Sequence, residues 1–138
     1  MKFQNFLKKH TVKFSRFSLF LIYFWFGVLK IFGQSPASQL VKDLFDVTLS
    51  NFLSFSTFFV LFSFFEIAIG ISFLFPKLTK ISLYATFLHI ITTFIPLLFL
   101  SNQTWSALFV PTFEGQYIIK NLLIISLALM IFKDYNKN

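Results

Sequence analysis

Four apolar runs, separated by short polar segments, set the pattern of this sequence. The most complete run covers about residues 55–75 and carries a single charge, Glu66, near its middle. A helix needs about 20 apolar residues to cross a hydrocarbon core of ~30 Å, so this run predicts a membrane-spanning helix. By the same criterion we predict three further spans, at about residues 14–32, 81–100 and 117–132.

The segment between the first two spans predicts a short helix that does not cross the membrane. Ser35 followed by Pro36 is a typical helix start, with serine as the N-cap and proline at the first helical position. Apolar residues then recur at helical spacing opposite Lys42 and two aspartates, which predicts an amphipathic helix on the outer membrane surface. Residues 1–138 are thus predicted to form one membrane domain, an all-α bundle of four transmembrane helices with a short amphipathic helix between spans 1 and 2.

Proline and glycine shape the second half of the chain. Pro96 predicts a kink in the third span, because its ring removes one backbone hydrogen bond and clashes with the carbonyl of Thr92. Residues 101–115 predict a polar loop that contains one proline and one glycine. Within this loop, Trp105 is expected to lie at the outer membrane interface.

Composition and charge agree with a membrane protein. The chain is 57% hydrophobic and 12% charged, which is too apolar for a soluble domain of 138 residues. Its net charge of +7 does not indicate a nucleic-acid partner, because the positive residues lie beside the apolar runs. The chain has no cysteine, so a disulfide, a thiolate metal site and a dithiol redox pair are excluded. Electron transfer would therefore need a bound cofactor or a partner protein.

The distribution of lysine and arginine predicts the orientation. Of the 12 such residues, nine lie in the N-terminal segment, the turn at 76–80 and the C-terminal tail. The two opposite connections hold one, Lys42. By the positive-inside rule, both termini are expected in the cytoplasm, and we expect the protein in a bacterial cytoplasmic (inner) membrane.

The candidate site follows from the charge in the second span. A carboxylate at the bilayer centre costs on the order of 3 kcal/mol, so Glu66 needs compensation from within the protein. Each of the other three spans carries one basic residue able to supply it: Lys30, His89 and Lys120. At ~1.5 Å per residue, Glu66 and His89 lie near mid-depth, while the two lysines lie about one turn from the outer edge. We therefore expect a Glu66–His89 pair beneath two lysines.

These residues have both functional and structural interpretations. Glu66 and His89 are the candidate catalytic groups, because a carboxylate and an imidazole can pass protons. Tyr23 joins them and the lysines as a ligand-binding candidate, because it lies on the same face of the first span as Lys30. Alternatively, the lysines extend to the headgroups, His89 is a neutral core residue and Glu66 forms a structural ion pair. One histidine and one glutamate on different helices do not indicate a metal site.

Three motifs resemble the DoxX-like family of small four-helix integral membrane proteins. They are FG-x-x-K at Phe26–Lys30, E-x-x-x-G at Glu66–Gly70 and G-Q-Y-x-x-K-N at Gly115–Asn121. The resemblance rests on the order and spacing of these motifs, and it covers Phe14–Phe132. The family includes membrane subunits associated with thiosulfate:quinone oxidoreduction. The resemblance implies the four-helix fold and a location in the membrane. Asn121, which ends the third motif, completes the ligand-binding candidates.

Two functions follow from these expectations. The first is a redox-linked subunit that binds a quinone or a small anion from the outer side, held by Lys30 and Lys120, with protons passed by Glu66 and His89. The alternative is a non-catalytic assembly or binding module whose buried ion pairs are structural. A small transporter is less favoured, because four short helices without an inverted repeat leave little room for alternating access. Besides the lipid bilayer, a redox partner subunit and a homo-oligomer are the associations left open.

Overall fold

The computed structural model describes residues 2–136 and is about 80% helical. Four helices are long and apolar enough, by length and composition, to cross a membrane, and they indicate an integral membrane protein. These helices are His10–Ile31, Phe55–Phe73, Pro76–Phe99 and Phe113–Tyr135. Lys137 and the side chains of Lys2, Lys8 and Lys9, which the orientation count includes, lie outside the described residues.

Eight helices and two short strands make up the described chain. The strands pair in antiparallel fashion, with Trp105 opposite Pro111, and a 3₁₀ turn at Pro76–Leu78 joins the second span to the third. In chain order the elements are α1 Lys2–Ile31, α2 Ser38–Thr48, α3 Phe55–Phe73, α4 Thr79–Phe94, α5 Pro96–Phe99, α6 Ser101–Thr104, β1 Trp105–Ala107, β2 Val110–Pro111, α7 Phe113–Lys120 and α8 Leu122–Tyr135.

Two helix starts differ from the prediction. Helix α1 already begins at Lys2, before the predicted span at about 14–32, because no glycine or proline separates the basic N-terminal segment from the first apolar run. Helix α2 begins at Ser38, two residues after Pro36. The Ser35 carbonyl accepts hydrogen bonds from the Ser38 amide, at 3.2 Å, and from its hydroxyl, at 2.8 Å. The Ser-Pro pair therefore forms a turn before the helix and does not cap it.

The helix of the third span is interrupted just before Pro96, where the sequence predicts a kink. Helix α4 ends at Phe94, and the short helix α5 starts at Pro96, whose ring nitrogen has no hydrogen to donate. The Ile95 carbonyl then accepts from the Leu98 amide at 3.0 Å, which tightens the connection. The third span therefore consists of the 3₁₀ turn, α4 and α5, with its interruption between α4 and α5.

The predicted polar loop at 101–115 is instead folded into α6, a two-stranded hairpin and the first turn of α7. Helix α7 begins at Phe113, four residues before the predicted span, because the Thr112 hydroxyl accepts the Gly115 amide hydrogen at 3.2 Å. Gly115 fits here because a side-chain carbon would collide with the Thr104 carbonyl. The glycine that suggested a loop thus permits close packing of α6 on α7.

The closest helix packing in the bundle is between α1 and α3, and two glycines permit it. A Cβ atom on Gly27 would lie 2.9 Å from the Ser63 carbonyl oxygen, and one on Gly70 would lie 2.8 Å from the Phe24 amide nitrogen. Small residues at such crossings let membrane helices pack backbone to backbone. The buried core beside this contact consists of Leu19, Tyr23, Ile69, Phe73, Leu83, Ala128 and Ile131.

Arg16 fixes the end of the bundle that carries the chain termini. Its side chain is buried, and it donates hydrogen bonds to the Phe73 carbonyl at 3.2 Å and to the Thr79 hydroxyl at 2.6 Å. This buried arginine therefore joins α1 to the turn between α3 and α4.

The packing of α1 on α3 predicts a large effect of a small substitution. Gly70→Val should lower the free energy of unfolding by about 1–3 kcal/mol, because the added carbons collide with the α1 backbone. Ala68→Val is the matched control, because Ala68 is exposed on the same helix. Thermal unfolding in detergent, followed by circular dichroism, measures both. Equal melting temperatures for the two variants would contradict this packing.

Candidate functional site

Glu66 lies near the middle of α3 and joins three helices. Its Oε2 atom accepts a hydrogen bond from Lys30 Nζ of α1 at 2.6 Å, and its Oε1 atom lies 3.0 Å from His89 Nε2 of α4. The side chains of Glu66, Lys30 and His89 are each less than one-tenth exposed. On the other side of the imidazole, Nδ1 lies 3.4 Å from the hydroxyl of Tyr23. The four residues form one hydrogen-bonded chain, which we call the Glu66 cluster.

The contacts of the Glu66 cluster fit an ionised Glu66 beside a neutral imidazole. In this arrangement both oxygens of Glu66 accept, His89 Nε2 carries the hydrogen, and His89 Nδ1 accepts from the Tyr23 hydroxyl. The imidazole is then neutral, and the charge of Glu66 is balanced by Lys30. A neutral group of this kind avoids the cost of an unpaired charge in a low-dielectric interior.

The local sequence explains why Glu66 and Lys30 meet. Gly27 lies less than one turn before Lys30 and lets α3 approach α1, so the carboxylate is within reach of the ammonium group. Lys30 is in the last turn of α1, where the helix dipole favours a positive charge. Tyr23 lies seven residues, or about two turns, before Lys30 and hence on the same face. One face of α1 therefore supplies both ends of the Glu66 cluster, Lys30 and Tyr23.

Lys120 does not belong to this group, which corrects the predicted placement inside the bundle. Its side chain is exposed, whereas Ile118, two residues earlier, is buried. Two residues correspond to about 200° around a helix, so the burial of Ile118 and Gly115 turns Lys120 away from the other spans. The two lysines are therefore not neighbours, and among the described lysines and arginines Lys30 is the one that pairs with Glu66.

Asn121 lies near the Glu66 cluster but outside its hydrogen-bonded chain. Its side-chain amide donates to the Thr93 hydroxyl of α4 at 3.3 Å, and both residues line the cavity described below. Thr86, one turn before His89, is fully buried beside Tyr23. A polar strip thus continues from His89 along α4.

A cavity of about 320 Å³ opens beside the Glu66 cluster. It lies at the end of the bundle away from the chain termini, between the last turns of α1, the first turns of α3 and the break at Pro96. Lys30, Glu66, His89 and Tyr23 form its polar end, and most of the remaining wall is apolar. A concave, mostly apolar cavity with a few convergent polar groups is typical of small-molecule sites.

Aromatic rings make up much of the cavity wall. The Phe62 ring stacks on the His89 imidazole with centroids 5.3 Å apart, and Lys30 Nζ lies 5.8 Å from the Phe62 centroid. Phe58 and Phe45 extend this wall. The ring centroids of Phe58 and Phe62 are 5.6 Å apart, and those of Phe45 and Phe58 are 5.2 Å apart. These residues are not among the site residues that the sequence predicts. Phe62 lies one turn before Glu66 on the same face, but among 24 phenylalanines this spacing carries little signal.

Helix α2 covers the cavity from the side of the first connection. Leu44 and Phe45 line the cavity, and Asp43 accepts a hydrogen bond from Gln103 of the segment before the hairpin at 2.9 Å. On the exposed side, the hydrogen bond from Lys42 to Asp46, together with the negative charge of Asp46, raises the pKa of Lys42. This exposed pair contributes little to stability. Helix α2 contributes to the site through the apolar side chains of Leu44 and Phe45, which line the cavity.

Comparison of the chain with protein-family models, with curated proteins and with solved structures finds no match.

The Glu66 cluster predicts a strong energetic coupling between two helices. Lys30→Met should lower the free energy of unfolding by about 3–5 kcal/mol, because it leaves a buried carboxylate without its ion pair. Adding Glu66→Gln should restore part of that loss, because the remaining group is then uncharged. Denaturation of the single and double variants in detergent measures the coupling.

The control for this cycle is Lys42→Met, which removes an exposed lysine from a salt bridge with Asp46. It should leave the melting temperature nearly unchanged. Strictly additive effects of Lys30→Met and Glu66→Gln would show that the two side chains do not interact.

Proposed function

We propose that this chain is a DoxX-like membrane protein that binds a quinone or a small anion at the Glu66 cluster and acts as a redox-linked subunit. The observation that carries this proposal is the cavity beside the cluster: a buried lysine, a carboxylate, an imidazole and a phenol converge on one end of an apolar space of about 320 Å³. Ionisable groups inside a membrane segment are costly, and they commonly mark a binding site or a proton path.

The cavity chemistry supports a quinone in particular. A planar ring fits against the aromatic wall formed by Phe62 and Phe58. A carbonyl oxygen at the polar end would accept a hydrogen bond from Lys30, and a small anion would use the same ammonium group. When bound, a quinone supplies two-electron chemistry, which a chain without cysteine does not provide from its own side chains.

The protein would contribute proton handling. Glu66 holds a carboxylate next to the cavity, and His89 connects it to the Tyr23 hydroxyl. A proton taken up by the carboxylate weakens its pairing with Lys30 and leaves His89 Nε2 free to donate elsewhere. The electrons would come from a partner subunit.

The proposed topology places the cavity near the outer membrane surface. The excess of lysine and arginine at the opposite end supports cytoplasmic termini, and the span count is even. With this orientation in a bacterial inner membrane, α2 would be an amphipathic helix at the outer surface, with Lys42 and Asp46 facing water and Phe45 facing the cavity.

One observation favours the alternative, a non-catalytic assembly or binding module. Both oxygens of Glu66 are already bound, to Lys30 at 2.6 Å and to His89 at 3.0 Å. A ligand at this site would therefore have to share or displace one of these contacts. In a purely structural cluster, the same contacts would serve to hold α1, α3 and α4 in register.

Titration with a short-chain ubiquinone analogue distinguishes these functions. Binding to the detergent-solubilised protein, measured by calorimetry, should weaken about tenfold or more in Lys30→Met, since a hydrogen bond from a charged group contributes about 1.5–3 kcal/mol. Tyr23→Phe, which keeps the ring, should show a smaller loss. Lys120→Met is the matched control, because that lysine is exposed, and it should bind as the unmodified chain does.

Native mass spectrometry of protein purified from its own membranes provides the second measurement. A co-purifying quinone-sized molecule supports the redox-linked function. Bare protein, together with no measurable binding of the quinone analogue, would favour the structural module. Equal affinity of the unmodified chain and Lys30→Met would exclude the Glu66 cluster as the quinone site.

A further inference from the structure

The hairpin formed by β1 and β2 presents two bare apolar side chains at its tip. Leu108 is 85% exposed and Phe109 is 84% exposed. The hairpin joins the third span to the fourth, so it lies at the end of the bundle away from the chain termini. No aspartate, glutamate, lysine or arginine occurs between Lys80 and Glu114, so neither strand carries a charge. The tip therefore differs from the charged connections elsewhere in the chain.

The base of the hairpin is held firmly by four hydrogen bonds. They are Thr112 amide to Thr104 carbonyl at 3.0 Å, Thr112 hydroxyl to Gln103 carbonyl at 2.7 Å, Trp105 indole to Leu97 carbonyl at 3.1 Å and Ser106 hydroxyl to Val110 carbonyl at 3.0 Å. The close contact of Gly115 with Thr104 adds packing below them. Leu108 and Phe109 thus project from a structured base.

The backbone at the tip is strained. Phe109 has a φ of 58°, in the left-handed region that glycine and asparagine adopt most easily. A polar tip with one of those residues would carry less strain and would expose less apolar surface to water. A large ring at this position is costly in both respects if the tip lies in water, and strain of this kind is a pointer to function.

The surroundings of the hairpin indicate what covers its tip. The residues next to its base, Leu98 and Phe113, are each 80% exposed and belong to the helices that are apolar enough to cross a membrane. Trp105, at the start of β1, is half-buried, with its indole N–H bonded to the protein. Tryptophan of this kind is typical of the membrane–water interface. The apolar surface of the spans therefore continues along the chain to the tip.

We propose that Leu108 and Phe109 insert into the lipid bilayer on the face away from the chain termini, so that the hairpin anchors the cavity end of the bundle in the outer part of the membrane. Insertion removes both side chains from water, and the uncharged strands allow it without burying a charge. Trp105 would mark the depth of the interface. This inference does not depend on the ligand of the Glu66 cluster.

Site-directed spin labelling tests the proposal, because the chain contains no native cysteine that would compete for the label. Leu108→Cys and Phe109→Cys are labelled with a nitroxide and reconstituted in vesicles of phosphatidylcholine and phosphatidylglycerol. Accessibility to oxygen, which partitions into lipid, is compared with accessibility to a polar nickel chelate. Leu88→Cys, on the exposed face of the third span, is the lipid reference, and Lys80→Cys, in the first turn of α4, is the aqueous reference.

Labels at Leu108 and Phe109 should resemble the label at Leu88, with an oxygen-to-nickel accessibility ratio several-fold above that at Lys80. A ratio equal to that at Lys80 in vesicles would show that the tip lies in water and would overturn the proposal. Protection from both reagents would overturn it as well, because it would mean that a second copy of the chain covers the tip.

Discussion

A carboxylate inside an apolar interior has to be met by a positive charge and by hydrogen-bond donors, or it destabilises the fold that contains it. Glu66 is such a group, and the rest of the structure follows from how it is met. Lys30 supplies the charge from α1, and His89 supplies a hydrogen bond from α4. These contacts require α1 and α3 to pack closely, and Gly27 and Gly70 allow it.

The same requirement connects the fold to the candidate site. The side chains that neutralise Glu66 also line an aromatic-walled cavity, so the cluster that packs the helices is also the site of the proposed ligand. A ligand that competes for Lys30 would loosen the contact between α1 and α3, which links occupancy of the cavity to the rigidity of the bundle. The quinone proposal and the structural alternative share the same ion pair, and they differ in whether a ligand occupies the cavity.

The sequence predicts those parts of the molecule that follow from burial of charge. Four long apolar runs predict four helices long enough to cross a membrane, and a single acid among them predicts basic partners on neighbouring spans. Lys30 and His89 are such partners. Lys120 is not, because the inward face of α7, Phe113–Lys120, is set by Gly115 and Ile118 and turns Lys120 outward. A span that is apolar on all sides does not show in its sequence which face is inward.

Other features could not be predicted from the sequence, because they depend on contacts between residues that are distant in the chain. The hairpin at Trp105–Pro111 has no alternating pattern of apolar and polar residues, and its fold depends on hydrogen bonds to Leu97 and Gln103. The cavity depends on where α2 lies relative to α3, which is a matter of tertiary packing. Phe62 stacks on His89 across two helices, and nothing in its own neighbourhood distinguishes it from other phenylalanines.

Solid-state NMR of the protein in bilayers tests the ion pair most directly. The chain has two glutamates, Glu66 and Glu114, so labelling glutamate carboxyl carbons with ¹³C and lysine side chains with ¹⁵N gives two carboxyl signals, which Glu66→Gln assigns. We expect an ionised Glu66 whose carbon is dephased by dipolar coupling to a lysine nitrogen, an effect lost in Lys30→Met. A protonated Glu66, or one without this coupling, would contradict the account.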